Sequence, residues 1–255
     1  CPYCDFYSVK ASDDGIFARS RDAVIREAEV FLKSKIVQEC ALSACDTLYI
    51  GGGTPSVMPE GDIAAIVTKI KELYGLGKEC EITIEVNPSS LTLSKASAYL
   101  ECGINRVSCG VQSLDDGVLK TLGRLHDSEG AVKAVQILKE AGFENISCDL
   151  MSGVPGQEAA VPEDDVVRLC DLEVKHISCY ALSVEEGTVF FDRYKDTIED
   201  IIPQTVEREM YHKVQSALKK SGFVPYEISN SAIPGCESRH NMNYWNGAEY
   251  YAFGA

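Results

Sequence analysis

Short apolar runs of strand length alternate with longer amphipathic runs along this sequence. That alternation restricts the chain to an α/β fold whose parallel sheet is built from βαβ units. Residues 18–39 are charged and amphipathic and predict a helix. Residues 46–50 predict a strand, followed at once by three glycines. Ile63, Ile66, Val67, Ile70 and Leu73 recur at helical spacing, which predicts a helix over 60–74. Residues 81–86 predict a strand closed by Asn87-Pro88, and 92–101 a helix with Thr92 as its N-cap. A strand is expected over 105–109. A helix follows over 127–141, capped by Asp127 or Ser128 and stopped by Gly142. Strands are expected over 146–150 and 176–181. Residues 195–205 read as a charged connector leading out of the sheet domain. Pro203 suits the first turn of a helix running to about residue 220, with Gly222 beyond it, and 223–228 predict a last short strand.

This gives five strands in a βα series, with a sixth expected just before Cys1. Polar and glycine-rich residues fall where the strands end: Gly51 to Thr54, Glu85, Gln112, Asp149 and Ser183. Ligands of parallel α/β sheets bind at the carboxyl ends of the strands. Five strands aiming polar groups at one rim therefore predict a site there. No internal repeat or low-complexity segment stands out. The sequence begins within a cysteine motif and stops on Gly254-Ala255, so it is expected to be a fragment lacking residues at both ends.

Composition narrows the partners. The net charge is −15, where a long phosphate footprint needs surplus Lys and Arg, so nucleic acid is not expected. The longest apolar runs fall far short of the roughly 20 residues of a membrane span. Eleven cysteines, an odd number, are mostly scattered or sit inside strand-like runs, which argues against a disulfide framework and for a reducing, cytoplasmic setting.

Cys1 and Cys4 form a bare C-x-x-C, which zinc, a redox dithiol and an iron–sulfur cluster all use. No second C-x-x-C or H-x-x-x-H is present to complete a zinc site. Gly51-Gly52-Gly53-Thr54-Pro55 is neither a Walker loop nor a dinucleotide fingerprint. It is either a tight βα turn or a place where a ligand approaches free backbone N–H and C=O groups.

These residues and those that follow carry a specific resemblance. Cys-Pro-Tyr-Cys-Asp-Phe, Tyr-Ile-Gly-Gly-Gly-Thr-Pro-Ser and Glu-Ile-Thr-Ile-Glu-Val-Asn-Pro occur in order. They are followed by Gly-Ile-Asn-Arg-Val-Ser-Cys-Gly-Val-Gln-Ser, Leu-Gly-Arg-Leu-His, Asp-Leu-Met-Ser-Gly-Val-Pro-Gly-Gln, His-Ile-Ser-Cys-Tyr-Ala-Leu, Tyr-Glu-Ile-Ser-Asn and Arg-His-Asn-Met-Asn-Tyr-Trp. Across essentially all 255 residues the chain resembles the radical S-adenosylmethionine (SAM) proteins of the oxygen-independent coproporphyrinogen III oxidase (HemN-like) superfamily, and most of all the haem-chaperone branch, HemW.

The resemblance implies a partial (β/α)6 TIM-like radical SAM barrel over 1–195, its first strand outside this chain. Residues 196–255 would form a connector and haem-motif region leading to a further C-terminal domain. It implies a [4Fe–4S] cluster on a C-x3-C-x2-C motif, of which Cys1 and Cys4 match the second and third cysteines. The first would lie four positions before Cys1. SAM would chelate the open iron. Tyr3, Gly52, Gly53, Thr54 and Glu85 match positions that contact SAM. Gln112, Arg124, Asp149 and Ser183 match positions around a second SAM or substrate space. Outside the family context, Glu85 and Asp149 read equally as strand-end caps, Arg124 as a surface ion pair and Gln112 as a turn hydrogen bond.

Two features bear on which branch this is. The decarboxylating enzymes carry an extra cysteine two residues past the third cluster cysteine, whereas Asp5 and Phe6 stand here. His240, Asn241, Tyr244 and Trp245 match the HNxxYW motif associated with haem binding in the chaperone branch. Histidine is a common axial ligand of haem iron, and aromatic rings cover porphyrin faces, although Tyr244 and Trp245 equally suit an anchor onto the barrel. The expected function is a haem chaperone that passes haem to haem proteins. The alternatives are an oxygen-independent coproporphyrinogen III oxidase acting on a porphyrinogen, and a redox or zinc protein using Cys1 and Cys4 alone. His126 is expected to cap a helix, His176 to be structural and His212 to lie on a helix face.

Overall fold

The computed structural model describes residues 1–6, 13, 15–35, 37 and 45–254. Within them are strands β1 (Cys45–Ile50), β2 (Leu76–Val86), β3 (Arg106–Gln112), β4 (Asn145–Ser152), β5 (His176–Ala181), β6 (Val224–Pro225) and β7 (Asn230–Ala232). The helices are α1 (Ile16–Leu32), α2 (Glu60–Tyr74), α3 (Leu93–Glu101), α4 (Asp116–Thr121), α5 (Ser128–Ala141), α6 (Val161–Asp171), α7 (Val189–Tyr194), α8 (Ile198–Ile201), α9 (Gln204–Lys220) and α10 (Arg239–Trp245). Cys40 and the end of the helix predicted over 18–39 lie outside the described residues.

One sheet runs in the order β1-β2-β3-β4-β5-β7-β6. The first five strands are parallel, each beside the next in sequence. The final strand predicted over 223–228 is instead the antiparallel pair β6 and β7, with β7 hydrogen-bonded to β5.

Side-chain parity decides the architecture. Successive strand residues face opposite sides. Ile82, Ile84 and Val86 of β2, Val107 and Cys109 of β3, Ile146, Cys148 and Leu150 of β4 and Ile177 of β5 all enter one apolar core. The same core holds Ile63 and Val67 of α2, Tyr99 of α3, Leu138 of α5, Leu169 of α6 and Leu218 of α9. These helices thus cover a single face, and each crossover among the five parallel strands leads to the adjacent strand. That is barrel winding rather than a doubly wound sheet. The fold is a partial TIM-like (β/α) barrel. Each aliphatic side chain buried in this layer contributes on the order of 1.5–3 kcal/mol.

The other face carries Thr47, Tyr49, Glu81, Thr83, Glu85, Arg106, Ser108, Ser147, Asp149, His176 and Ser178, which lie at the alternate positions of the same strands. In β3, β4 and β5 the tetrad x-Val/Ile-Ser-Cys recurs, with Ser inward and Cys in the helix-facing core. The caps agree with expectation. Thr92 accepts from Lys95 N (3.2 Å), Asp127 accepts from Gly130 N (2.8 Å), and Gly142 ends α5 at φ 103°. Pro203 sits at the N-cap of α9, one position before its first turn.

Candidate functional site

Three groups meet at the carboxyl end of β1 and β2. Tyr49 Oη donates to Glu85 Oε1 at 2.8 Å, and the Gly52 N–H donates to the same carboxylate. Burial pushes the Glu85 carboxyl above the usual carboxylate range, against the two donors and with the help of Asp149. Gly51 has no room for a side chain: a Cβ there would lie 2.8 Å from Tyr49 Cε1 and 3.0 Å from Glu85 Oε1. Gly52 takes φ +114°, a conformation that favours glycine, and the space at its Cβ position is open. Thr54 Oγ1 donates to Gly53 O at 2.5 Å. Ser56 ties this loop to the one after β2, since its hydroxyl accepts from Asn87 N at 2.9 Å and pairs with Ser90 Oγ at 2.6 Å.

A second group forms around Arg124. Its Nη2 donates to Gly110 O (2.9 Å), and its Nη1 reaches Tyr3 Oη (3.4 Å) and Cys1 Sγ (3.6 Å). Its Nε is buried without a partner. Pro2 and Tyr3 are seated by Phe190, whose N–H donates to Pro2 O (2.9 Å) and whose ring lies 6.2 Å from that of Tyr3. Burial raises the Tyr3 phenol pKa, with Arg124 opposing. Gln112 has φ 68° at an irregularity in the β3–β4 register. Its amide folds back over Gly110, where a Cβ would come within 3.0 Å of it. Strained non-glycine residues of this kind concentrate at functional sites. Asp149 accepts from Ser108 Oγ (2.9 Å) and from the Ser178 hydroxyl, and burial raises its carboxyl pKa.

His240 lies on α10, across the inner face of β1. Its Nδ1 is hydrogen-bonded to Thr47 Oγ1 at 2.8 Å and its Nε2 to Tyr244 Oη at 3.0 Å. Tyr49 stacks on its ring at 5.0 Å between centroids and 23° between planes. Glu81 holds the start of α10, accepting from Arg239 N (3.1 Å) and His240 N (3.0 Å). Burial lowers the His240 pKa, helped by Arg106 and opposed by Glu81, and so favours the neutral ring. Tyr49 thus touches both the Glu85 cradle and the His240 ring.

The Radical SAM superfamily profile matches residues 1–170. The chain belongs to the radical SAM superfamily. Along its full length it is 35% identical to the heme chaperone HemW of Lactococcus lactis and 34% identical to that of Bacillus subtilis. It spans 65% and 66% of those two proteins. It is also 32% identical to the bovine radical S-adenosyl methionine domain-containing protein 1, mitochondrial, and covers 56% of it. In fold it is similar to the Escherichia coli coproporphyrinogen III oxidase HemN, with a TM-score of 0.78 over 97% of this chain and 55% of that one, at 20% identity.

The superfamily implies a [4Fe–4S] cluster and SAM. Cys1 and Cys4 are exposed free thiols at the rim, and thiolates are the donors such a cluster takes. Among the described residues no group of three His, Cys, Asp or Glu side chains is gathered for a metal, and Cys1 and Cys4 are two thiol donors of the kind a cluster takes. The SAM fit is fuller. An open glycine backbone at Gly52 lies against the Glu85 carboxylate, and Arg124, its Nε buried without a partner, reaches Cys1 Sγ.

Most of the expected site residues come together: Tyr3 with Arg124 and Cys1, Gly52 with Glu85, and Gln112 with Gly110 and Arg124. Ser183 stands apart, exposed and hydrogen-bonded to Glu185. The Asn241 side chain is hydrogen-bonded to the Tyr226 hydroxyl. Trp245 is 66% exposed. His126 does not cap α5; its Nε2 is hydrogen-bonded to Val111 O at 3.0 Å, and Asp127 is the cap. His176 is structural, held between Ser147 Oγ (2.8 Å) and Tyr226 Oη (2.7 Å). Thr47, Tyr49, Glu81 and Ser108 were not among the expected site residues. The period-2 polarity of their strands is the signal that marks them.

Proposed function

We propose that this chain is the SAM- and cluster-binding part of a haem chaperone, which receives haem and passes it to haem proteins. The observation that carries the reading is His240, a half-buried imidazole walled by Tyr49 and Tyr244 on a surface helix. Full-length similarity to HemW proteins supports it. So does the presence of Asp5 and Phe6 where a cysteine would favour decarboxylation.

In this reading Cys1 and Cys4 supply two of three cluster thiolates. Gly52, Gly53 and Thr54 receive the methionine part of SAM by backbone contacts, and Glu85 takes its ammonium. Tyr3, Gln112, Arg124 and Asp149 line the adjoining space, with Ser183 at its edge. Reduced cluster and SAM together supply one-electron chemistry when bound. His240 binds haem iron, Tyr244 and Trp245 lie against the porphyrin, and Asn241 braces the helix through Tyr226. Residues 1–195 form the SAM-binding barrel and 196–255 the haem-motif region. The setting is a reducing, cytoplasmic one, in keeping with ten free thiols among the described residues. No described helix is long and apolar enough to cross a membrane.

The test is a haem titration followed by absorbance, on protein reconstituted anaerobically with iron and sulfide. His240→Ala is expected to weaken haem binding at least about tenfold while leaving the cluster absorbance unchanged. Unchanged haem affinity removes His240 from the site. Decarboxylated product from coproporphyrinogen III, SAM and a reductant would instead establish the oxidase reading.

A further inference from the structure

The two ring nitrogens of His240 face different environments. Nδ1 points at the sheet, where Thr47 Oγ1 meets it at 2.8 Å in a half-buried contact. Asn243 Nδ2 approaches the same hydroxyl at 3.4 Å from the next turn of α10. Nε2 points outward and is covered by Tyr244 Oη at 3.0 Å, an exposed contact between residues one helical turn apart. The Tyr244 ring meets the imidazole edge-on, 5.0 Å between centroids at 86°. Tyr49 blocks one face of the ring from the sheet side. Glu81, which accepts from both Arg239 N and His240 N, fixes where α10 begins.

An imidazole nitrogen offers iron one lone pair, the same pair that accepts a hydrogen bond. With the imidazole proton on Nδ1, the outward nitrogen of His240 is therefore already engaged, and the engaging group is half exposed, its ring held edge-on between the imidazole and Tyr250, 4.8 Å from the latter. Thr47 does the opposite. It holds the inner nitrogen, and with it the ring plane, in the way that outer-shell hydrogen bonds orient metal-ligating histidines.

We propose that Tyr244 is a gate on His240 and that Thr47 is its tether: the Tyr244 hydroxyl occupies Nε2 in the haem-free protein and must leave before iron binds there, while Thr47 keeps the ring aimed outward. This rests on the assignment of His240 as the haem ligand. On binding, the hydrogen bond between Tyr244 Oη and Nε2 breaks, the Nε2 lone pair passes to iron, and Nδ1–H remains on Thr47 Oγ1. No proton leaves the imidazole. The consequence is selectivity: a porphyrin that cannot move Tyr244 aside, or that has no iron to take the lone pair, gains nothing at His240.

Two measurements test the gate, and one needs no haem. Carbethoxylation of His240 by diethyl pyrocarbonate, followed by mass spectrometry, reads whether Nε2 is free. Tyr244→Phe keeps the ring and removes the hydroxyl, so His240 is expected to react severalfold faster. In absorbance titrations the same variant is expected to bind ferric haem about three- to tenfold more tightly, the worth of one hydrogen bond no longer broken. Thr47→Val, a near-isostere, is expected to bind haem about tenfold more weakly with an unchanged far-ultraviolet dichroism spectrum. Equal reactivity and equal or weaker haem binding in Tyr244→Phe overturn the gate. Unchanged haem binding in Thr47→Val overturns the tether. If His240→Ala leaves haem binding intact while Tyr244→Phe still exposes His240 to the reagent, the haem assignment fails and the gate on the imidazole stands.

Discussion

Replacing Gly51 by alanine tests the packing of the rim with one methyl group. Ordinary carbon contacts lie at about 3.5–4.0 Å. The new Cβ would stand 2.8 Å from Tyr49 Cε1, 3.0 Å from Glu85 Oε1 and 3.1 Å from Glu85 Cδ. The methyl group therefore lacks about 0.7 Å or more on the tyrosine side. Tyr49 has nowhere easy to go, because His240 stacks on its ring at 5.0 Å and its hydroxyl is bonded to Glu85 at 2.8 Å. Relief requires either unseating His240 or breaking a hydrogen bond to a carboxylate. Overpacking of this kind costs about 1–3 kcal/mol, and a broken hydrogen bond to a charged group costs about as much. We expect a loss of about 2–3 kcal/mol, which lowers Tm by about 5–10 °C in a chain of this size. Scanning calorimetry reads the shift. Gly61→Ala is the internal control, because nothing lies within 4 Å of a Cβ there and the residue is inside α2. Alanine at that position is expected to be neutral or stabilising by up to about 1 kcal/mol. A Gly51→Ala protein melting within about 1 °C of the parent would show that the rim is loose and refute the argument.

Other consequences follow from the buried acids and phenols. Asp165 accepts from Ser113 Oγ (2.6 Å) and Leu114 N (2.9 Å), and burial raises its carboxyl from 3.8 to about 6. The folded state then holds a proton that the unfolded chain has released, so this group's contribution to stability falls as pH rises from 3.8 to about 6, by about 3 kcal/mol. Urea denaturation at several pH values should show that slope in the parent and lose it in Asp165→Asn; equal slopes would remove Asp165 as its source. Tyr49→Phe takes one donor from Glu85, so the carboxyl pKa rises further. SAM binding is expected to weaken roughly tenfold, and more at pH 6 than at pH 8. A loss that does not vary with pH would count against Glu85 as the ammonium partner.

Much of the sheet was legible because strand periodicity is short and each strand ends on a turn signal. β5 has the bounds read from the sequence, and β1, β3 and β4 differ by one to three residues at an end. β2 starts five residues early, since Gly77 and Lys78 break its apolar pattern and only pairing with β1 across a register shift carries it back to Leu76. Helix α6 went unread because its N-terminal half is acidic and Asp165, on its buried side, interrupts the apolar stripe. α4 and α7 are six residues each, too short for a period to register. The site divides in the same way. Residues inside dense motifs, such as Gly52, Glu85, Gln112 and His240, were legible. Thr47, Tyr49 and Glu81 were not, since their importance arises only when strands lie side by side and α10 returns across them. Ser183 shows the converse, a motif position that the fold leaves pointing at its neighbour Glu185.

The contact of His240 with Thr47 joins residues 193 apart in the chain. During synthesis at about 5–20 residues per second, Thr47 waits roughly 10–40 seconds for its partner to be made. Glu81 waits nearly as long for the N–H groups it accepts, and α1 waits for Phe253, which packs against Phe31 at 5.7 Å. Among the described strands, β1 thus waits longest for the residues that cover its inner face. A polar inner face suits that order, because Thr47, Tyr49 and Glu81 can stay hydrated in the growing chain where an apolar face would seek another chain. The polarity that furnishes a binding site in the finished protein also protects the nascent one from aggregation.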